Sequence, residues 1–91
     1  MKTKPVKHVV VVGQGYVGLP MTLSTINAGY KVTGIDHDSR KVETLRRGAS
    51  PIDGVNEKVL SDALQNGSYT VSSDYKQAAG FDFAIVTVPT P

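Results

Sequence analysis

The feature that most constrains this chain is the stretch from His8 to Gly18, HVVVVGQGYVG. Val9 to Val12 are four β-branched residues in a row. Such a run fits a strand buried on both faces, as in a parallel sheet. Gly13, Gly15 and Gly18 then spell G-x-G-x-x-G. Gly13 allows a sharp exit from the strand, Gly15 lets a pyrophosphate approach the backbone, and Gly18 lets a new helix pack tightly on the strand. N–H groups at the start of that helix, around Tyr16 and Val17, have no intrahelical partner. Together with the positive end of the helix dipole they form a place for an anion.

A glycine motif alone is weak, because a tight strand-to-helix turn without a ligand has the same pattern. The context strengthens it. An amphipathic helix follows, and a second strand, Lys31 to Asp36, ends in an acid 18 residues beyond Gly18. That is close to the spacing expected for a carboxylate on the adenosine ribose. The charge of Asp36 would repel a 2′-phosphate and so favours NAD over NADP, although His37 and Arg40 are nearby cationic candidates. Its other reading is a helix cap or a solvated loop acid. Lys41, one turn into the next helix, either reaches the ribose or lies on a solvated face. Thr90 follows the last strand. Ligands of open α/β sheets bind beyond the carboxyl ends of strands, so Thr90 is either a cofactor contact or a plain loop residue.

The rest of the chain reads as alternating helices and strands. Helix one is expected from Tyr16 to Ala28, with Leu19, Leu23 and Ile26 as its core stripe. Pro20 falls in its first turn, where a missing N–H is tolerated. Gly29 closes it. Gly34, inside the second strand, marks close approach of another backbone or of the ligand. Asp38 or Ser39 caps helix two, which buries Val42 and Leu45. Arg46 and Arg47 at its end favour the dipole, and Gly48 stops it. A third helix is expected from Asn56 to Gln65, ended by Gly67, and then a short strand from Tyr69 to Ser72. Ser73 caps a short helix through Ala79. The last strand runs from Phe81 to Val88, with Phe83 to Val86 as its apolar centre, until Pro89 ends it. His8 starts the first strand, and Asp74 and Asp82 cap or solvate turns.

This order implies a parallel α/β sheet of Rossmann type, doubly wound in part, with strand order 3-2-1-4 and the glycine turn at the topological switch point. Residues 1–7 read as a basic N-terminal tail and 8–91 as a partial dinucleotide-binding domain. The chain stops where a fifth strand is expected, so it reads as the first part of a larger protein. The outer strand would leave Phe83-Ala84-Ile85-Val86 on an open edge, a template for self-association.

Composition removes other classes of function. There is no Cys, hence no disulfide, thiolate ligand or thiol nucleophile, and the two His residues are far apart in sequence. No apolar run reaches ~18 residues, and no h-region follows the basic start, so neither a membrane span nor a signal peptide is expected and the cytoplasm is the expected location. A net charge of +2 with scattered Lys and Arg points to no nucleic-acid partner.

Three separated segments, GQGYVGLP, GYKVTGIDHDSRKVETLRRGASPIDG and VTVPTP, closely resemble the N-terminal domain of the UDP-glucose/GDP-mannose dehydrogenase family. The LP after the glycine motif and the VPTP end are most similar to the branch acting on UDP-N-acetylhexosamines. The resemblance implies an enzyme that oxidises the C6 alcohol of a UDP-sugar to the uronic acid in two NAD-dependent steps, with a cysteine holding the second-stage intermediate. It implies NAD contacts at Tyr16, Val17, Asp36, Lys41 and Thr90, beside the motif glycines. It implies no catalytic residue in this chain, since the family's cysteine and sugar-binding domain lie further along, and the parent protein is expected to be a homo-oligomer. A β-hydroxyacid dehydrogenase of the 6-phosphogluconate type also begins with such a motif, but GYVGLP and VPTP argue against it. A dinucleotide-sensing module without chemistry is the reading from another class, and a downstream cysteine motif would separate it from the enzyme.

Overall fold

In the computed structural model, which describes residues 7–87, the valine run forms β1 (His8–Val12) at the centre of the sheet. The elements that follow are α1 (Gly18–Asn27), β2 (Lys31–Ile35), α2 (Ser39–Arg46), α3 (Glu57–Asn66), β3 (Tyr69–Ser72), a 3-10 turn (Tyr75–Ala78) and β4 (Phe83–Val86). The four strands are parallel in the order β3-β2-β1-β4. Val9 pairs with Val32 on one side and Phe83 on the other. The sheet is thus the one expected, and the chain leaves β1 for neighbours on opposite sides, which puts the glycine turn at the switch point.

Side chains alternate along a strand, so β1 feeds two cores. Val9 and Val11 join Leu19, Val42, Leu45, Leu60, Tyr69 and Val71, the cluster that α1, α2 and α3 close. Val10 faces the other way, with Ile35 and with Ala78 of the 3-10 turn. Leu23 and Ile26 of the expected stripe pack at the margin of the larger cluster.

Several boundaries move by one or two residues. α1 starts at Gly18 rather than Tyr16, because Tyr16 and Val17 are taken up in a turn whose first helical bond runs from Leu19 N–H to Gly15 C=O. It ends at Asn27, one residue before the expected Ala28. β2 stops at Ile35, although Asp36 N–H still pairs onto Ser72 C=O while its carboxylate accepts from Gln14 N–H. Asp38, not Ser39, caps α2. Asn56 caps α3 from outside the helix, and the left-handed Gly67 ends it. The short helix is a single 3-10 turn capped by Asp74 instead of Ser73. β4 is shorter than the expected Phe81–Val88. Asp82 N–H and Thr87 N–H nonetheless continue its pairing onto His8 C=O and Val12 C=O. Val88 and Pro89 lie outside the described residues.

Two side chains act differently from their sequence reading. Arg46 donates from Nε to Val71 C=O at 3.0 Å, so it ties α2 to β3 as well as facing the helix dipole. His8 bonds through Nε2 to Thr33 Oγ1 at 2.7 Å, and its N–H donates to Asp82 Oδ2. Lys7 is already tied to the sheet, because its C=O accepts from Lys31 N–H.

The core makes a plain contrast testable. Leu45 is fully buried, whereas Val59, on the apolar side assigned to α3, is 40% exposed. Leu45→Ala is expected to lower unfolding stability by about 2–5 kcal/mol, and Val59→Ala by less than ~1 kcal/mol. Urea denaturation of both variants checks this. Equal losses would contradict the packing described.

Candidate functional site

At the carboxyl ends of β1, β2 and β4 lies a cavity of about 570 Å³. Gly13, Gly15, Tyr16, Val17, Gly18, Asp36 and Lys41 all line it, so seven of the eight residues expected from the sequence meet in one place. Thr90 lies outside the described residues. His37, Tyr75, Val86 and Thr87 complete the walls on the β2, 3-10 turn and β4 sides.

The turn is shaped by close approach. Gly13 has φ +94°, which L side chains rarely adopt, and it lies against Thr87. A Cβ on Gly18 would fall 1.7 Å from the Gly13 carbonyl oxygen, so helix and strand can meet at this distance only through glycine. Gly15 differs, since a Cβ there would meet only Lys41 Nζ at 3.6 Å. Its open side faces the cavity. α1 has no side-chain cap, whereas α2 and α3 are capped by Asp38 and Asn56. The N–H groups of Gly15, Tyr16, Val17 and Gly18 have no hydrogen-bond partner among the described residues. They form a cluster of donors at a helix N-terminus, which suits a phosphate.

Asp36 is 4% exposed and carries three donors. Gln14 N–H reaches Oδ2 at 2.8 Å, Asp38 N–H reaches Oδ1 at 2.9 Å, and Lys41 Nζ lies 3.4 Å from Oδ2. Burial alone would raise its pKa. The two backbone donors and the Lys41 ammonium outweigh burial and hold the carboxyl below its ordinary value, as a charged acceptor. A carboxylate has about four acceptor positions. One position is left on Oδ1, which the exposed His37 ring approaches with Nδ1 at 3.9 Å, and a second hydroxyl arriving at Oδ2 meets Lys41 there. Lys41 is only partly exposed and its ammonium is turned towards Asp36 rather than into solvent.

A buried polar group that the sequence reading missed supports the turn from below. The Gln14 side chain is fully buried. Its Nε2 donates to Val11 C=O at 3.1 Å and to Gly13 C=O at 2.9 Å. Its Oε1 accepts from Tyr69 O–H at 2.7 Å, and Thr22 Oγ1 lies beside both ends of the amide. Burial pushes the Tyr69 hydroxyl pKa up, and the charge of Asp36 adds to the effect, so Tyr69 is a fixed donor. Gly34 is the reason there is room. A Cβ at that position would lie 2.6 Å from Gln14 Cδ and Oε1, and 3.0 Å from the Tyr69 ring. The expected visitor at Gly34 was a backbone or the ligand, but it is a side chain. The signals in the sequence were a glycine in mid-strand and a polar residue between two motif glycines, with nothing along the chain to bring them together.

Comparison with known proteins gives a consistent neighbourhood. The profile described as "UDP-glucose/GDP-mannose dehydrogenase family, NAD binding domain" matches residues 7–91. A UDP-N-acetyl-D-mannosamine dehydrogenase of Methanococcus aeolicus is 37% identical over 94 residues, covering 99% of this chain and 20% of its own. A UDP-glucose 6-dehydrogenase of Bacillus subtilis is 33% identical, covering 92% of this chain and 20% of its own. Among solved structures, a UDP-D-ManNAc dehydrogenase from Pyrococcus horikoshii superposes with a TM-score of 0.85 at 29% identity, over 92% of this chain and 20% of that one. The chain thus spans about one fifth of the length of the relatives it matches.

The second and third glycines of the motif separate the fold from the cavity. Gly18→Ala forces the Gly13 carbonyl to move and is expected to cost about 1–3 kcal/mol or more. Gly15→Ala has space and is expected to leave stability within ~1 kcal/mol while placing a methyl group in the cavity. Thermal unfolding of the two variants checks this. A destabilised Gly15→Ala beside an intact Gly18→Ala would contradict the geometry.

Proposed function

The chain belongs to the UDP-glucose/GDP-mannose dehydrogenase family as its NAD-binding domain, and from that premise we propose that it holds NAD for the oxidation of the C6 alcohol of a UDP-sugar to the uronic acid, in two NAD-dependent steps. The sugar we favour is a UDP-N-acetylhexosamine, supported by the LP and VPTP motifs and by the naming of the Methanococcus aeolicus relative. The observation that carries the reading is the union of an open cluster of backbone N–H groups and a charged, preorganised Asp36 in one cavity.

The residues divide the work by chemistry. The free N–H groups from Gly15 to Gly18 receive the pyrophosphate, and Gly15 lets it come close. Asp36 accepts from the adenosine ribose through the open position on Oδ1, and Lys41 adds a donor beside it. Tyr16 and Val17, both strongly exposed, belong to the turn and line the cavity. Thr90 joins this set on the strength of the VPTP motif. NAD, when bound, supplies the hydride acceptor. The chain's own part is to bind and orient, and the reading gives none of its residues a bond-making step. Preorganisation is what makes this useful. Donors and carboxylate are already fixed by the fold, so little ordering remains to be done on binding.

Asp36→Ala in the full-length protein is expected to weaken NAD binding by about 1–3 kcal/mol, because charged hydrogen bonds to the ribose are lost. Preference should drift towards NADP as the charge that repels a 2′-phosphate disappears. Calorimetric titration with both cofactors measures this, and unchanged affinities would sink the role of Asp36.

We also propose that copies of the chain associate through β4. That strand is an edge of the sheet, and its outer side has no partner among the described residues. Phe83 is 54% and Val86 66% exposed. An open apolar edge of this kind pairs readily with another strand. Ile85 packs inward on the core, so the informative substitution is at Phe83. The 91-residue chain should elute as a dimer or larger species, and Phe83→Glu should shift it to monomer with its circular dichroism intact. A wild-type monomer at high concentration would contradict the proposal.

A further inference from the structure

The Gly13–Gln14 peptide is gripped at both ends. Its carbonyl oxygen accepts from Gln14 Nε2 at 2.9 Å and lies 3.4 Å from Thr87 Oγ1. Its N–H donates to Asp36 Oδ2 at 2.8 Å. In a trans peptide these two groups point in opposite directions, so the three contacts fix the plane of the unit. The orientation of the Gln14 amide is itself forced. Val11 C=O and Gly13 C=O can only accept, so Nε2 must face them and Oε1 must face Tyr69 O–H. The grip therefore runs from the phosphate turn through Gln14 to Tyr69 on β3, the far strand of the sheet.

We propose that Gln14 is a positioning residue for the cofactor: its buried amide holds the Gly13–Gln14 peptide in the orientation that aims the following N–H groups at the pyrophosphate and presents the Asp36 carboxylate to the ribose. Tyr69 acts through Gln14. This rests on the NAD-binding reading and adds two residues that do not touch the cavity themselves, since neither Gln14 nor Tyr69 lines it. The buried network is fully satisfied, with no buried side-chain nitrogen or oxygen lacking a partner among the described residues. A satisfied network of this kind is rigid, and removing one member releases the others. Gly34 belongs to the same device, because any larger residue there would expel the amide.

The test uses the full-length protein and titration with NAD. Gln14→Met keeps the volume and removes the hydrogen bonds. It is expected to raise the Kd for NAD about tenfold or more. Tyr69→Phe, which deletes only the hydroxyl, should raise it about threefold. The double variant should be no worse than Gln14→Met alone, because the two residues act as one unit. Leu60→Ala, buried at α3 and making no hydrogen bond in the Gln14 network, is the control for stability loss, and its NAD affinity should stay within about twofold of wild type. A folded Gln14→Met that binds NAD as wild type does overturns the inference. So do additive effects in the double variant, or an equal loss of affinity in Leu60→Ala. If Gln14→Met does not fold, Tyr69→Phe decides alone, and unchanged affinity there overturns the proposal. A wild-type protein that does not bind NAD overturns the functional reading itself, and this inference with it.

Discussion

The buried carboxylate of Asp36 is the contact on which the rest of the arrangement depends. It sits at the end of β2 and accepts from the N–H of Gln14 in the turn after β1. A charge 4% exposed is tolerated only when donors replace the water it has lost. Gln14, Asp38 and Lys41 supply them from three successive pieces of chain: the glycine turn, the entry to α2 and its first turn. One side chain thus holds together the parts of the cavity that a dinucleotide would bridge. The sheet beneath makes this possible, because parallel strands bring their carboxyl ends to one edge and β1 lies next to β2 there.

The helices show where the chain keeps its backbone groups available. α2 and α3 begin with capping side chains, and even the 3-10 turn has Asp74. α1 begins with Val17 and no side-chain cap, and there is no acid in its first turn. Local stability would favour Ser or Asp at that place. The open N–H groups make sense as partners for an anion brought from outside, a local rule broken at a functional site. The family match rests on the whole sequence, and the cavity on the donors left open.

Much of this was legible in the sequence because the signals are backbone signals. Four valines before a glycine motif specify a buried parallel strand and its turn. The spacing puts an acid at the end of the second strand, and the alternation of elements implies the observed strand order. The buried polar contacts beneath the turn belong to another kind of information. Tyr69 alternates like any core residue in β3, and nothing along the chain says that its hydroxyl meets an amide 55 residues away. Gln14 occupies a position that the glycine motif leaves free. Only the register that pairs Val11 with Gly34 opens the space for its side chain, and register is a tertiary fact. Arg46 was read as a helix-end cation for the same reason, since its partner carbonyl on Val71 is brought near only by packing. Capping residues were narrowed to a pair at α2, and the geometry chose Asp38 because its carboxylate reaches the N–H groups of Arg40 and Lys41.

The central claim is that the phosphate turn and Asp36 form one preorganised site for NAD. A crystal structure of the full-length protein with NAD tests it most directly. The account predicts the pyrophosphate against the N–H groups of Gly15 to Gly18 and the adenosine ribose on Asp36 Oδ1, with the Gly13–Gln14 peptide unmoved. A cofactor seated elsewhere, or a turn that must flip this peptide to admit it, would contradict the account.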